Sequence, residues 1–81
     1  MAHNLSKKDL IPLIETVTGR TLACSDSLLD TGYLDSLLTI QLIFELEAHF
    51  SVSIPSTELT HFNFNSLDNI LDLINRLQNG R

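Results

Sequence analysis

Apolar positions along the chain fall into three runs with helical spacing, separated by two stretches without a period. In the first run Leu10, Leu13, Ile14 and Val17 repeat at i, i+3, i+4 and i+7, which predicts a helix from about Ser6 to Thr18. Ser6 is placed to cap it and Gly19 to end it. Pro12 conflicts with the pattern, because it removes a helical N–H and crowds the preceding turn. Two readings accommodate it: a helix kinked at Pro12, or a helix capped by Asp9 with Pro12 in its first turn.

From Gly19 to Asp35 the period disappears and Ser25, Asp26, Ser27, Asp30, Thr31 and Gly32 accumulate. Irregular stretches beyond about 12–15 residues are uncommon in small domains. Leu28, Leu29 and Leu34 are expected to pin this one to the core.

The second run, from about Ser36 to Phe50, has two apolar faces. At about 100° per residue, Leu38, Leu42, Ile43, Leu46 and Phe50 form a core stripe, while Leu37, Ile40 and Phe44 gather opposite. Glu47 separates the stripes on one flank, and Gln41, Glu45 and His49 lie along the other. One small core cannot easily bury both faces of a helix. Leu37, Ile40 and Phe44, edged by Glu45 and Glu47, therefore read as an exposed apolar strip with an acidic rim, a partner-binding surface. The alternative is that the long loop folds over the strip.

Pro55 stops Ser51–Pro55 from continuing as helix. Ser56 to Leu59 can form one helical turn, followed by the polar-aromatic stretch His61-Phe62-Asn63-Phe64-Asn65. The last helix opens with Ser66 as cap and carries Leu67, Ile70, Leu71, Ile74 and Leu77 through about Leu77 or Gln78. Residues 1–5 and 79–81 are expected as flexible ends. The whole is a single all-α domain with three main helices and a short one.

Eighty-one residues with 43% hydrophobic and 19% charged positions describe a folded domain too short for most self-contained enzymes. Net charge is −5, and no Lys or Arg lies between Arg20 and Arg76. Such a chain cannot assemble a face that neutralises phosphates, which argues against nucleic acid and anionic membranes and for partners with basic surfaces. The competing reading is a solvated acidic surface serving solubility. Cys24 is alone, so neither an internal disulfide nor a Cys-based zinc site is expected. No signal peptide or membrane span is evident, and a cytoplasmic monomer is the expectation.

Candidate chemistry is sparse. Aligning Gly32 with the turn glycine of a calcium loop puts Ser27, Leu29 and Thr31 at ligand positions and Leu38 where a bidentate Glu belongs, so that motif fails. His3, His49 and His61 lack metal-ligand spacing, there is no Gly-rich phosphate loop, and no cation adjoins Cys24 to activate it. Intrinsic catalysis is not expected. What remains is Asp35-Ser36-Leu37, at the junction of loop and two-faced helix. Its plain meaning is an N-cap followed by a helix start. In this setting it also presents a serine hydroxyl at an exposed helix start, with no local base to make it a nucleophile in its own right. Such a serine reads as a site that another enzyme modifies, and the helix dipole favours a phosphate there.

With these residues in place, the sequence resembles acyl carrier proteins and peptidyl carrier domains over almost its whole length. Within that family it is similar to the D-alanine carrier branch. Asp30-Thr31-Gly32-Tyr33-Leu34-Asp35-Ser36 sets its glycine four residues before the serine, where ordinary fatty-acid carriers have it three before. Ile54-Pro55-Ser56-Thr57-Glu58-Leu59, Asn65-Ser66 and Asn69-Ile70 match that branch in spacing. The resemblance implies a four-helix bundle of the acyl-carrier type and a 4′-phosphopantetheine arm moved from coenzyme A onto Ser36 by a phosphopantetheinyl transferase. Asp35 would help present the serine, and the arm's thiol would carry acyl or aminoacyl thioesters between loading and acceptor enzymes. The segment after Phe50 is less acidic than in typical fatty-acid carriers, a departure from the housekeeping pattern. The rival reading is an unmodified helical interaction module.

Overall fold

A computed structural model describes residues 6–23 and 26–79. Its helices are α1 (Lys7–Thr18), α2 (Ser36–Phe50), α3 (His61–Phe64) and α4 (Leu67–Asn79), with a 3-10 turn at Ser56–Glu58 before α3. Helix α1 packs against both α2 and α4, and α3 against α4.

Ser6, not Asp9, caps α1. Asp9 instead turns its carboxylate back to accept the Ser6 N–H at 3.0 Å and the Ser6 hydroxyl at 3.3 Å, satisfying one of the free amides at the helix start. Pro12 therefore lies inside the helix and withholds the N–H that the Lys8 carbonyl would accept. Gly19 ends α1 at φ 72°, in the left-handed region, and donates its N–H to the Glu15 carbonyl.

The core is aliphatic around one aromatic ring. Leu10 and Ile14 of α1, Leu42, Ile43 and Leu46 of α2, and Leu67, Ile70, Leu73 and Ile74 of α4 form one buried cluster with Phe64. Leu73 was absent from the expected stripe and is fully buried, so the apolar face of α4 is wider than the expected spacing implied. Leu28 and Leu34 are buried and Leu29 half-buried, as their role in pinning the loop requires. Leu38 and Phe50 are only half-buried at the ends of the α2 stripe.

Two boundaries differ from expectation. The predicted turn at Ser56–Leu59 is a 3-10 turn, and the polar-aromatic stretch after it is a separate helical turn, α3, capped by the Thr60 hydroxyl, which accepts the Asn63 N–H at 3.2 Å. Tertiary burial and local bonding together outweigh weak propensity here: Phe64 is buried, and the buried Asn63 amide donates to the Glu58 carbonyl at 2.8 Å and carboxylate at 3.0 Å. Asn79, expected in a loose tail, is the last residue of α4. The expected ends at 1–5 and 80–81, with Cys24 and Ser25, lie outside the described residues. No helix among the described residues is long and apolar enough to cross a membrane.

Candidate functional site

Helix α2 begins where the loop leaves the core at Leu34. Asp35 is extended, at φ −120°, and its Oδ1 accepts the Leu38 N–H at 2.8 Å, while its carbonyl accepts the Thr39 N–H. The N-terminal amides of α2 are thereby oriented, and Ser36 becomes its first residue. Ser36 is exposed, and its hydroxyl has no hydrogen-bond partner among the described residues. No base touches it, so nothing in the described chain prepares it for attack.

The loop before it is tied down on both sides. Asn65 accepts the Leu29 and Asp30 N–H groups on Oδ1 at 2.8 and 3.2 Å, and donates from Nδ2 to the Asp30 carboxylate at 3.1 Å. The Asn65 carbonyl accepts the Leu28 N–H at 2.7 Å, and His61 Nε2 lies 2.9 Å from Asp30 Oδ1. At the other side Tyr33 donates its hydroxyl to the Arg20 carbonyl at 2.7 Å, beneath the Arg20 guanidinium 5.0 Å from the ring centre. The chain reverses through Gly32 at φ 83°; a side chain there would have open space, so it is the backbone conformation that favours glycine.

An open groove of about 640 Å³ runs beside Ser36. Leu29, Leu34, Ile40 and Ile43 line one side, and Leu59, Thr60, His61 and Phe64 the other. Thr39 Oγ1, on the same groove, is buried without a hydrogen-bond partner. The neighbourhood thus offers an accessible hydroxyl, a helix N-terminus suited to phosphate, and an apolar trough with one unsatisfied polar atom. These residues fit a chain covalently attached at Ser36.

The second face of α2 stays open. Leu37 and Phe44 are each 65% exposed and Ile40 49%, so the loop does not cover the strip. Glu45 is exposed beside it, with His49 Nε2 3.4 Å away. Glu47 has a different occupation: its Oε2 accepts the Ile54 N–H at 2.8 Å and folds the exit segment back onto α2. Across the groove, Leu59 is also exposed, at 46%, and Phe62 on α3 is exposed at 71%, two residues that sequence reasoning did not place at the surface. The available signal was the Phe62-Asn63-Phe64 order in a single helical turn, which cannot bury both rings on one side.

Comparison with known proteins places the chain among carriers. A family model described as "phosphopantetheine attachment site" matches residues 8–74. A D-alanyl carrier protein of Streptococcus mutans is 39% identical over 54 residues, spanning 67% of this chain and 68% of that protein. Another, from Streptococcus sanguinis, is 31% identical over 75 residues, spanning 90% of this chain and 95% of its own length.

Proposed function

The chain belongs to the phosphopantetheine-attachment family of carrier proteins, and from this premise we propose that Ser36 is its attachment residue. Membership brings a covalently bound phosphopantetheine, whose thiol supplies the thioester linkage for cargo. The carrying observation is the Ser36 hydroxyl itself: exposed, without a partner, at the first position of a helix whose cap is complete. Asp35 serves modification by holding that helix start in place. Because no base is hydrogen-bonded to the Ser36 hydroxyl among the described residues, the transferase brings the base when the phosphodiester forms.

Leu37, Ile40 and Phe44 with Glu45 are the surface on which basic partner enzymes dock, weakly enough to exchange. Leu59 extends it across the groove. Glu47 contributes charge but not a free carboxylate, since Ile54 holds it. The cargo we assign is aminoacyl, with the D-alanyl group of the relatives' name as its first candidate. The chain works as a cytoplasmic monomer that carries rather than catalyses.

Coexpression with a broad-specificity phosphopantetheinyl transferase tests the reading by intact mass. One phosphopantetheinyl group should be added to the wild-type chain and none to Ser36→Ala. An unchanged mass, under conditions that modify a control carrier, would return the chain to the rival reading of an unmodified interaction module.

A further inference from the structure

The groove beside Ser36 is poor in positive charge. Among the residues that line it, Asp35 brings a carboxylate and His61 alone can become a cation. No Lys or Arg lies between Arg20 and Arg76, and both of these are committed elsewhere. Arg20 donates to the Gly32 and Tyr33 carbonyls, and Arg76 meets Asp72 and Glu58. The start of α2 has also spent part of its capacity for an anion, since Asp35 Oδ1 already accepts the Leu38 N–H.

His61 is placed to supply the missing charge. It is the first residue of α3, exposed, with Nε2 2.9 Å from Asp30 Oδ1, while Asn65 Nδ2 holds the other Asp30 oxygen at 3.1 Å. Its Nδ1 has no partner among the described residues. A neutral imidazole donates from one nitrogen only, whereas the protonated ring donates from both. An anion on each side therefore favours the protonated ring. Asp30 is one such anion, and a phosphodiester on Ser36 would be a second, in a groove that His61 already lines. The other charged groups around α3 have their own partners: Glu58 accepts from Asn63 and meets Arg76, Asp68 meets Lys7 at 3.4 Å, and Asp72 holds Arg76.

We propose that His61 is the positioning residue for the arm: protonated, it bridges Asp30 and the phosphodiester on Ser36, tying the root of the arm to the loop and to α3. Loss of the ring proton removes one of the two donors and releases that root. The inference rests on the modification of Ser36 proposed above.

The test is ³¹P and ¹H NMR on the full chain, unmodified and loaded by a broad-specificity transferase, with intact mass read on the same samples. A phosphodiester has no proton to exchange near neutrality, so its ³¹P signal does not move with pH by itself. In the loaded wild-type chain it should nevertheless show one inflection between about pH 5 and 8, where imidazole changes charge. The inflection should weaken as salt is raised and vanish in both His61→Gln and His61→Lys, with the signal of His61→Lys held near the acidic wild-type position. Both variants replace an exposed side chain and should keep the far-ultraviolet spectrum of the wild type. At one acidic pH, loading should move the His61 ring resonance and leave that of His49, about 20 Å along α2 from Ser36, in place. A flat ³¹P signal in the loaded wild type, or an inflection that survives in His61→Gln, overturns the proposal while the mass still shows the arm on Ser36. An unchanged mass overturns the modification, and this inference with it.

Discussion

Asp35 and Ser36 divide the start of α2 between them. One side chain is committed to the backbone of the helix; the other has no hydrogen-bond partner among the described residues. A capping oxygen of this kind contributes about 0.5–2 kcal/mol, so Asp35→Ala should lower stability by about that much while Asp35→Asn retains most of it, as read by chemical denaturation. Transfer of the arm to Ser36 should slow in Asp35→Ala, because the helix start then frays around the hydroxyl. Glu47 shows that neighbours of similar type can hold different work. Glu45 and Glu47 were read alike as acidic rim, yet the second carboxylate bonds the Ile54 N–H, seven residues on. Periodicity reports which face a side chain leaves from, not what the chain brings back to meet it.

Between elements, the decisive contact is the junction of α3 and α4 with the loop that leads to Ser36. Asn65 satisfies two backbone donors of that loop and its own carbonyl a third, across a separation no local pattern reveals. Asn65→Ala should therefore release the Leu29 and Asp30 amides to rapid hydrogen exchange while the amides of α2 around Leu42 and Leu46 stay protected. Equal loss of protection in both places would mean that Asn65 supports the whole fold rather than the loop. The exposed His61–Asp30 contact lies on the same junction and adds less, since exposed polar contacts are weak in water. Helix α1 offers the complementary case: its caps were readable from Ser6 and Gly19, but the choice between the two readings of Pro12 was not. Packing of Leu10 and Ile14 into the core holds the helix through Pro12, despite the cost of that residue.

At the scale of the molecule, one aromatic ring is enclosed by aliphatic side chains from the helices, and the charge is turned outward. Phe64→Ala should cost about 3–5 kcal/mol, close to the whole stability of a domain this short, and leave a largely unfolded chain in mild urea. Arg20 and Arg76, which bracket the acidic stretch, are both engaged internally, Arg20 on Tyr33 and Arg76 on Asp72 at 3.2 Å and Glu58 at 3.7 Å. The acidic surface is thus left without nearby free arginines among the described residues, as the proposed docking of basic partners would need.

The amino-acid order by itself determined the three main helices, their caps, the two faces of α2 and the serine at its start. Each of these follows from spacing or from the local chemistry of one turn, which neighbouring residues carry in full. Only the tertiary structure decided that the strip on α2 stays open beside the groove of Ser36, that the short helix falls at His61–Phe64, and that Asn65 holds the loop. These depend on which distant groups meet, and a side chain's partner tens of residues away is set by how the helices pack, not by the period of any one of them.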